Sequence, residues 1–187
     1  MSVLWAILNG GQSTRFGSPK YLANSDGESF LEIATQRTTA ASSIGDRFVL
    51  SGGPLLNSSW DVVTDSEKFV GPLAAVHAIV TMAAKEDHEV AVVQPIDMPL
   101  VQPDQLRSLR LQTSQMTGVV IAESQTSNDR HWVLAAVHRT WYADVINHIE
   151  SGACRSLKNL WTACECNFLS FPDEYLVNIN FPHQANS

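Results

Sequence analysis

Near the start of the chain, Gly10, Gly11, Arg15, Gly17 and Lys20 crowd into one excursion that directly follows the apolar run Val3-Leu4-Trp5-Ala6-Ile7-Leu8. Paired glycines at a strand exit adopt backbone angles closed to other residues and let main-chain N–H groups approach an anion with no Cβ in the way. Arg15 offers a planar fork to phosphate oxygens, and Lys20 a mobile point charge. The chemistry in view is the holding of a phosphate chain. Two standard phosphate motifs are excluded. Gly17 is followed by Ser18-Pro19-Lys20, so there is no G-x-x-x-x-G-K-[ST] P-loop, and the G-x-G-x-x-G dinucleotide fingerprint is missing too. Residue types alone leave a phosphate cradle and a plain surface turn with scattered cations equally open.

Two carboxylates extend the question. Asp65 follows Val63-Thr64, and Asp97 lies in Pro95-Ile96-Asp97-Met98-Pro99-Leu100, just past the apolar stretch 89–94. A hard carboxylate at a strand end can hold Mg²⁺, which keeps several waters and binds substrate phosphates. Either aspartate could instead end a strand or cap a turn. His131, ahead of the apolar run 133–137, suits a substrate contact and a structural role equally well. The three cysteines, Cys154, Cys164 and Cys166, have no second Cys or His pair at zinc spacing and read as reduced thiols with a structural role.

These groups need elements to position them. Strands are expected at 3–8, 47–50, 61–63, 89–94, 118–122 and 133–137, with near-continuous Val, Ile, Ala and Leu as in strands buried on both faces. Helices are expected at 29–38, where Phe30, Ile33, Ala34 and Arg37 recur at helical spacing, at 72–84 with proline in its first turn, from Pro103, and at 141–149 before Gly152. Alternating β and α elements predict an α/β fold: a three-layer, Rossmann-like α/β/α arrangement with a mostly parallel central sheet and helices on both faces. Ligands of such sheets bind outside the carboxyl ends of the strands, where the glycine loop begins.

The 187 residues suit one domain spanning 1–187 with a full hydrophobic core, and 44% hydrophobic with 17% charged residues is ordinary globular composition. A formal net charge of -7 argues against non-specific nucleic-acid binding, so an anionic ligand must be held by locally placed cations and N–H groups. The N-terminus has no basic n-region, and its apolar run is too short for a signal peptide or a membrane span. A cytoplasmic protein without membrane contact is therefore expected.

Gly10-Gly11-x-Ser13-x-Arg15-Phe16-Gly17-x-x-Lys20-x-Leu22 resembles the G-G-x-S-x-R-M-G-x-x-K opening of the molybdopterin nucleotidyltransferases, above all molybdenum cofactor guanylyltransferase. Phe16 replaces the usual Met. Pro19 stands where Asp is common, and Pro-Lys at this point is familiar from related sugar and cytidylyl pyrophosphorylases. Val63-Thr64-Asp65 followed by Gly71-Pro72-Leu73-Ala74-Ala75 is similar to the family's D…G-P-L-x-G segment, with Ala75 for glycine. Pro95 to Leu100 is similar to its C-D-M-P turn, with Ile96 for Cys. Asp129-Arg130-His131-Trp132 resembles its H-P-T segment, with Trp132 for proline. Gly152-Ala153-Cys154-Arg155-Ser156-Leu157 resembles G-x-R-S-L. Val177-Asn178-Ile179-Asn180-Phe181-Pro182 resembles the closing N-[IV]-N-T-P-E-D, with Phe181 for Thr and His183-Gln184 for the acidic pair.

The resemblance implies transfer of GMP from GTP to molybdopterin with release of pyrophosphate, and Mg²⁺, or Mn²⁺ in its place, on Asp97. It implies a nucleotide cradle at Leu8, Asn9, Gly10, Gly11 and Ser13, with Ser51 and Gly71 among the nucleotide contacts. Arg15 and Lys20 would stabilise the leaving pyrophosphate. Asp65 would lie at the guanine base, where a carboxylate can accept from both N1–H and the 2-amino group. Arg155 would face the pterin or its phosphate, Asn180 would give a neutral oxygen near the metal, and Asn178 would serve the acceptor end or the fold. Transient contact with molybdoenzymes or their chaperones is also implied. Two alternatives stay open. One is a molybdopterin cytidylyltransferase or another nucleotidyltransferase with a small phosphate acceptor. The other is a non-catalytic nucleotide-binding module.

Overall fold

The computed structural model describes residues 2–9, 24–25, 27–52, 60–64 and 69–179. In chain order the elements are β1 (Val3–Leu8), a small antiparallel pair β2 (Asn24–Ser25) and β3 (Glu28–Ser29), α1 (Phe30–Ala41), β4 (Arg47–Ser51), β5 (Asp61–Val63), α2 (Pro72–Lys85), β6 (Val90–Pro95), α3 (Pro103–Gln112), β7 (Val119–Ser124), β8 (Arg130–His138), α4 (Tyr142–Glu150), α5 (Leu157–Ala163) and β9 (Asn167–Phe171). Seven strands form one sheet in the order β5-β4-β1-β6-β8-β7-β9. Strands β5, β4, β1 and β6 run parallel, β8 is antiparallel to both β6 and β7, and β9 is parallel to β7.

Every residue of β1 and of β6 is buried, as central strands covered on both faces must be. Side chains alternate across β1. Leu4, Ala6 and Leu8 join Val76 and Ile79 of α2, Val145 and Ile149 of α4, and Leu160 and Trp161 of α5. Val3 and Trp5 point the other way, with Leu106 and Leu109 of α3. Ile7 joins Phe30, Ile33 and Ala34 of α1 on that side. The outcome is the expected three-layer, mostly parallel α/β/α fold.

Local chemistry sets the ends of these elements. Helix α1 begins with a reciprocal cap: Glu32 N–H donates to Ser29 Oγ (3.2 Å), and Ser29 N–H donates to Glu32 Oε2 (2.8 Å). Pro72 opens α2, where its missing N–H costs nothing. The foot of β1 is clamped by Asp46, which accepts from Val3 N–H at 3.0 Å, Trp5 Nε1–H at 2.8 Å and Ser43 N–H at 2.9 Å.

Strands β7 and β8 came out longer than expected, and α5 and β9 were not anticipated. Helix α5 is only seven residues long, and β9 is an edge strand with an exposed, exposed, half-buried, exposed, buried pattern. Neither carries the continuous apolar signal of the inner strands. Strand β8 also carries a large irregularity. Ile121 pairs with Ala135 but Ala122 pairs with His131, so residues 132–134 are passed over by the ladder.

From β1 the chain passes through α1 to β4 on one side, then returns through α2 to β6 on the other. The sheet therefore has its topological switch point at the carboxyl ends of β1 and β6, where such sheets hold ligands.

Candidate active site

Three strand ends meet at this switch point. Asn9 N–H donates to Ser51 O at 2.8 Å, which extends the β1–β4 ladder one step past Leu8, and Ile96 N–H donates to Leu8 O at 3.2 Å. Leu8, Asn9, Ser51 and the turn carrying Asp97 are thus held side by side. Asn9 and Ser51 are buried polar residues, 6% and 1% exposed. Asp97 is half-buried at the rim.

The Asp97 turn is fixed from two directions. Arg37 Nη1 donates to the carbonyls of Pro99 and of Val101, the latter at 3.1 Å. Burial pulls the Arg37 pKa down, with Glu28 opposing, yet a guanidinium stays cationic at neutral pH. From the other side Ile179 N–H donates to Asp97 O at 2.8 Å, which draws the closing segment with Asn178 against the turn. One helical turn along α1 from Ala34, Thr38 Oγ1 lies 3.2 Å from Gln94 Oε1 at the end of β6. The sequence pattern held a clue to the arginine. Arg37 shares the spacing of Phe30, Ile33 and Ala34, and a cation on a buried stripe needs acceptors.

The remaining expected residues are dispersed. Gly71 is exposed, with φ 66°, and caps α2. Arg155 is exposed in the turn between α4 and α5, and among the described residues no hydrogen bond or ion pair joins it to the Asp97 turn. Asn178 is exposed. His131 is half-buried at the start of β8, its Nε2 3.1 Å from Ser124 Oγ. Burial holds its pKa below the usual histidine value, against Asp129 and Asp173. Gly10, Gly11, Ser13, Arg15, Lys20, Asp65 and Asn180 lie outside the described residues.

The thiols are free. Cys154 and Cys164 are buried and Cys166 half-buried. Burial pushes the Cys164 thiol up to about 12 and also raises that of Cys166, so both resist forming thiolates at neutral pH. Among the described residues, no three His, Cys, Asp or Glu side chains converge as a ready-made metal cage. A lone carboxylate at a strand end still suits Mg²⁺, which takes one or two carboxylates and fills its other positions with water and substrate phosphate. Among the described residues, no helix is long and apolar enough to cross a membrane.

The sequence profile of the MobA-like NTP transferase domain matches residues 5–163. The chain belongs to the MobA-like NTP transferase family. It is accordingly a nucleotidyltransferase. A relative from Geobacillus sp., named probable molybdenum cofactor guanylyltransferase, is 26% identical over 190 aligned positions, covering 95% of this chain and 93% of its own. The crystal structure of molybdopterin-guanine dinucleotide biosynthesis protein A from Archaeoglobus fulgidus superposes with a TM-score of 0.71 at 22% identity, over 99% of this chain and 95% of that one. A Mycobacterium tuberculosis protein crystallised as a complex with manganese has a TM-score of 0.60 at 15% identity, over 91% and 88%. The two structures share this fold, and in this chain it brings Leu8, Asn9, Ser51, Asp97 and the segment before Ile179 together at the carboxyl ends of the central strands.

Proposed function

We propose that this chain, acting as a single nucleotidyltransferase domain, transfers GMP from GTP to molybdopterin and releases pyrophosphate. The observation that carries the proposal is the junction of Leu8, Asn9, Ser51 and Asp97 at the switch point of a MobA-like sheet. The name of the Geobacillus relative supports the choice of GTP and molybdopterin.

In the reaction a terminal phosphate oxygen of molybdopterin attacks the α-phosphorus of GTP. The new P–O bond forms as the bond to the β-phosphate breaks, and the electron pair leaves with pyrophosphate. No protein nucleophile is needed, so the chain acts by positioning and by neutralising charge. The backbone from Leu8 to Gly11 holds the nucleotide with Ser13, Ser51 and Gly71, and Asp65 reads guanine. Arg15 and Lys20 stabilise the departing pyrophosphate. Asp97 would hold Mg²⁺ or Mn²⁺, which would supply positive charge to the substrate phosphates; the mycobacterial structure is a complex with manganese. Arg155, Asn178 and Asn180 serve the molybdopterin side. Delivery of the product implies brief contacts with molybdoenzymes or their chaperones in the cytoplasm.

The test is pyrophosphate release from purified protein with Mg²⁺, molybdopterin and either GTP or CTP. Release with GTP well above that with CTP is expected. Preference for CTP would move the enzyme to cytidylyl transfer, and binding without release to a non-catalytic module. A thermal-shift arm separates binding from turnover, since a ligand at about 100 times its Kd adds roughly 2.7 kcal/mol.

A further inference from the structure

We propose that the side-chain amide of Asn9, and not only its backbone, recognises the uncharged nucleoside half of the substrate by donating and accepting a hydrogen bond at once. The proposal rests on the nucleotidyl-transfer reading above. It starts from a buried amide with no partner among the described residues. Asn9 is 6% exposed, and neither its Oδ1 nor its Nδ2 has a hydrogen-bond partner among the described residues. Leaving such groups dry and unpaired is costly, and buried amides are ordinarily satisfied.

The backbone shows where the amide stands. The bond from Asn9 N–H to Ser51 O continues the ladder of β1, so strand alternation carries on and sets Asn9 on the side of Ile7. The cluster on that side contains Phe30, Leu50, Ile96 and Ile179, whose side chains offer neither donor nor acceptor, and Trp60, whose indole N–H makes no hydrogen bond to the Asn9 amide among the described residues. The backbone groups on either side are already used, Asn9 N–H by Ser51 and Leu8 C=O by Ile96. Among the described residues, the amide is the polar group left over beside the carboxyl ends of β1 and β4.

Its chemistry selects the ligand part. An amide presents a donor and an acceptor in one plane. A triphosphate presents acceptors alone and would leave Oδ1 unpaired. A nucleobase edge offers a donor next to an acceptor, and a ribose hydroxyl can do both in turn. These two sources share the required chemistry and sit in the same molecule.

The test measures dissociation constants by calorimetry, with Mg²⁺, for wild type, Asn9→Leu and Asn9→Ala against GTP, 2′,3′-dideoxy-GTP and inorganic tripolyphosphate. Both variants are expected to lose GTP affinity by about tenfold or more, the weight of one or two neutral hydrogen bonds, while tripolyphosphate binds as to wild type. An equal loss with dideoxy-GTP assigns the contact to the base, and a loss confined to GTP assigns it to the ribose. Without ligand, the variant that packs better should melt above wild type, because an unpaired buried amide is gone. If Asn9→Leu fails to fold, Asn9→Ala carries the measurement. Unchanged GTP affinity in a folded variant overturns the proposal and leaves the function intact. An equal fall for GTP and tripolyphosphate overturns it as general damage to the site. Wild type that binds tripolyphosphate but no nucleotide, or neither, overturns both the proposal and the function it rests on.

Discussion

Replacing Arg37 with methionine asks how firmly Asp97 must be held. The substitution keeps most of the apolar stem on α1 and removes the guanidinium that serves the carbonyls of Pro99 and Val101. Both of those residues are buried, Val101 fully, so neither carbonyl gains ready access to water. A buried acceptor left unsatisfied costs about 1–3 kcal/mol. Arg37 is itself partly solvated and gives up side-chain entropy in the bound form, so a net loss of about 2–3 kcal/mol is reasonable. At roughly 2–4 °C per kcal/mol for a chain of this size, the melting temperature should fall by about 4–12 °C. The turn would then move, and a displacement near 1 Å can cost about a hundredfold in rate. Turnover in the pyrophosphate-release assay should drop by about ten- to a hundredfold, and the Mg²⁺ concentration for half-maximal rate should rise. The comparison is Asp46→Ala at the opposite end of β1, which strands the buried Trp5 Nε1–H and should cost similar stability. Measured well below both melting points, Asp46→Ala should keep wild-type turnover and Mg²⁺ dependence. If Arg37→Met matches Asp46→Ala in both kinetic readouts, Arg37 is merely structural and the positioning argument fails.

Asp97→Asn and Lys20→Ala should each lower turnover by about a hundredfold or more, the usual loss of one preorganised electrostatic group, with unchanged far-UV circular dichroism. Wild-type turnover of Asp97→Asn at saturating Mg²⁺ would refute the metal assignment. Gly118→Ala should destabilise by about 1–3 kcal/mol, because Gly118 has φ +63° and an added Cβ would lie 2.4 Å from Trp141 Nε1. A denaturant midpoint equal to wild type would refute both the clash and the backbone strain. Cys164 gives a pH prediction. Its folded-state pKa is raised by burial, with Cys154, Asp144 and Cys166 adding to it, so the fold favours the protonated thiol. That contribution is complete below the ordinary thiol pKa of about 8.5 and is lost as pH climbs towards about 12. Stability of wild type should therefore fall through this alkaline window, and Cys164→Ala should fall less steeply. Parallel curves from thermal melts would contradict the buried-thiol account.

The fold was largely legible because its centre is simple. Strands β1 and β6 are continuous apolar runs, buried along their whole length, and such runs reveal themselves without any partner. The outer elements were harder: β9 needs β7 beside it to become a strand, and α5 is too short to show a periodic stripe. The glycine–cation loop and the two aspartates stood out as residue types suited to phosphate and metal binding, a role that residue types alone left open against plain turns. The sequence alone thus determined the α/β class and a resemblance to this family, and it named side chains suited to such a site. Which of them stand together was decided only by the tertiary structure. Leu8, Ser51 and Asp97 are far apart in the chain and become neighbours because parallel strands must align their carboxyl ends. Arg37 became the anchor of the Asp97 turn because α1 packs against the face where that turn ends. That the Asn9 amide is buried and finds no partner among the described residues is a property of its surroundings, and these are set by everything folded around a residue and not by its own identity.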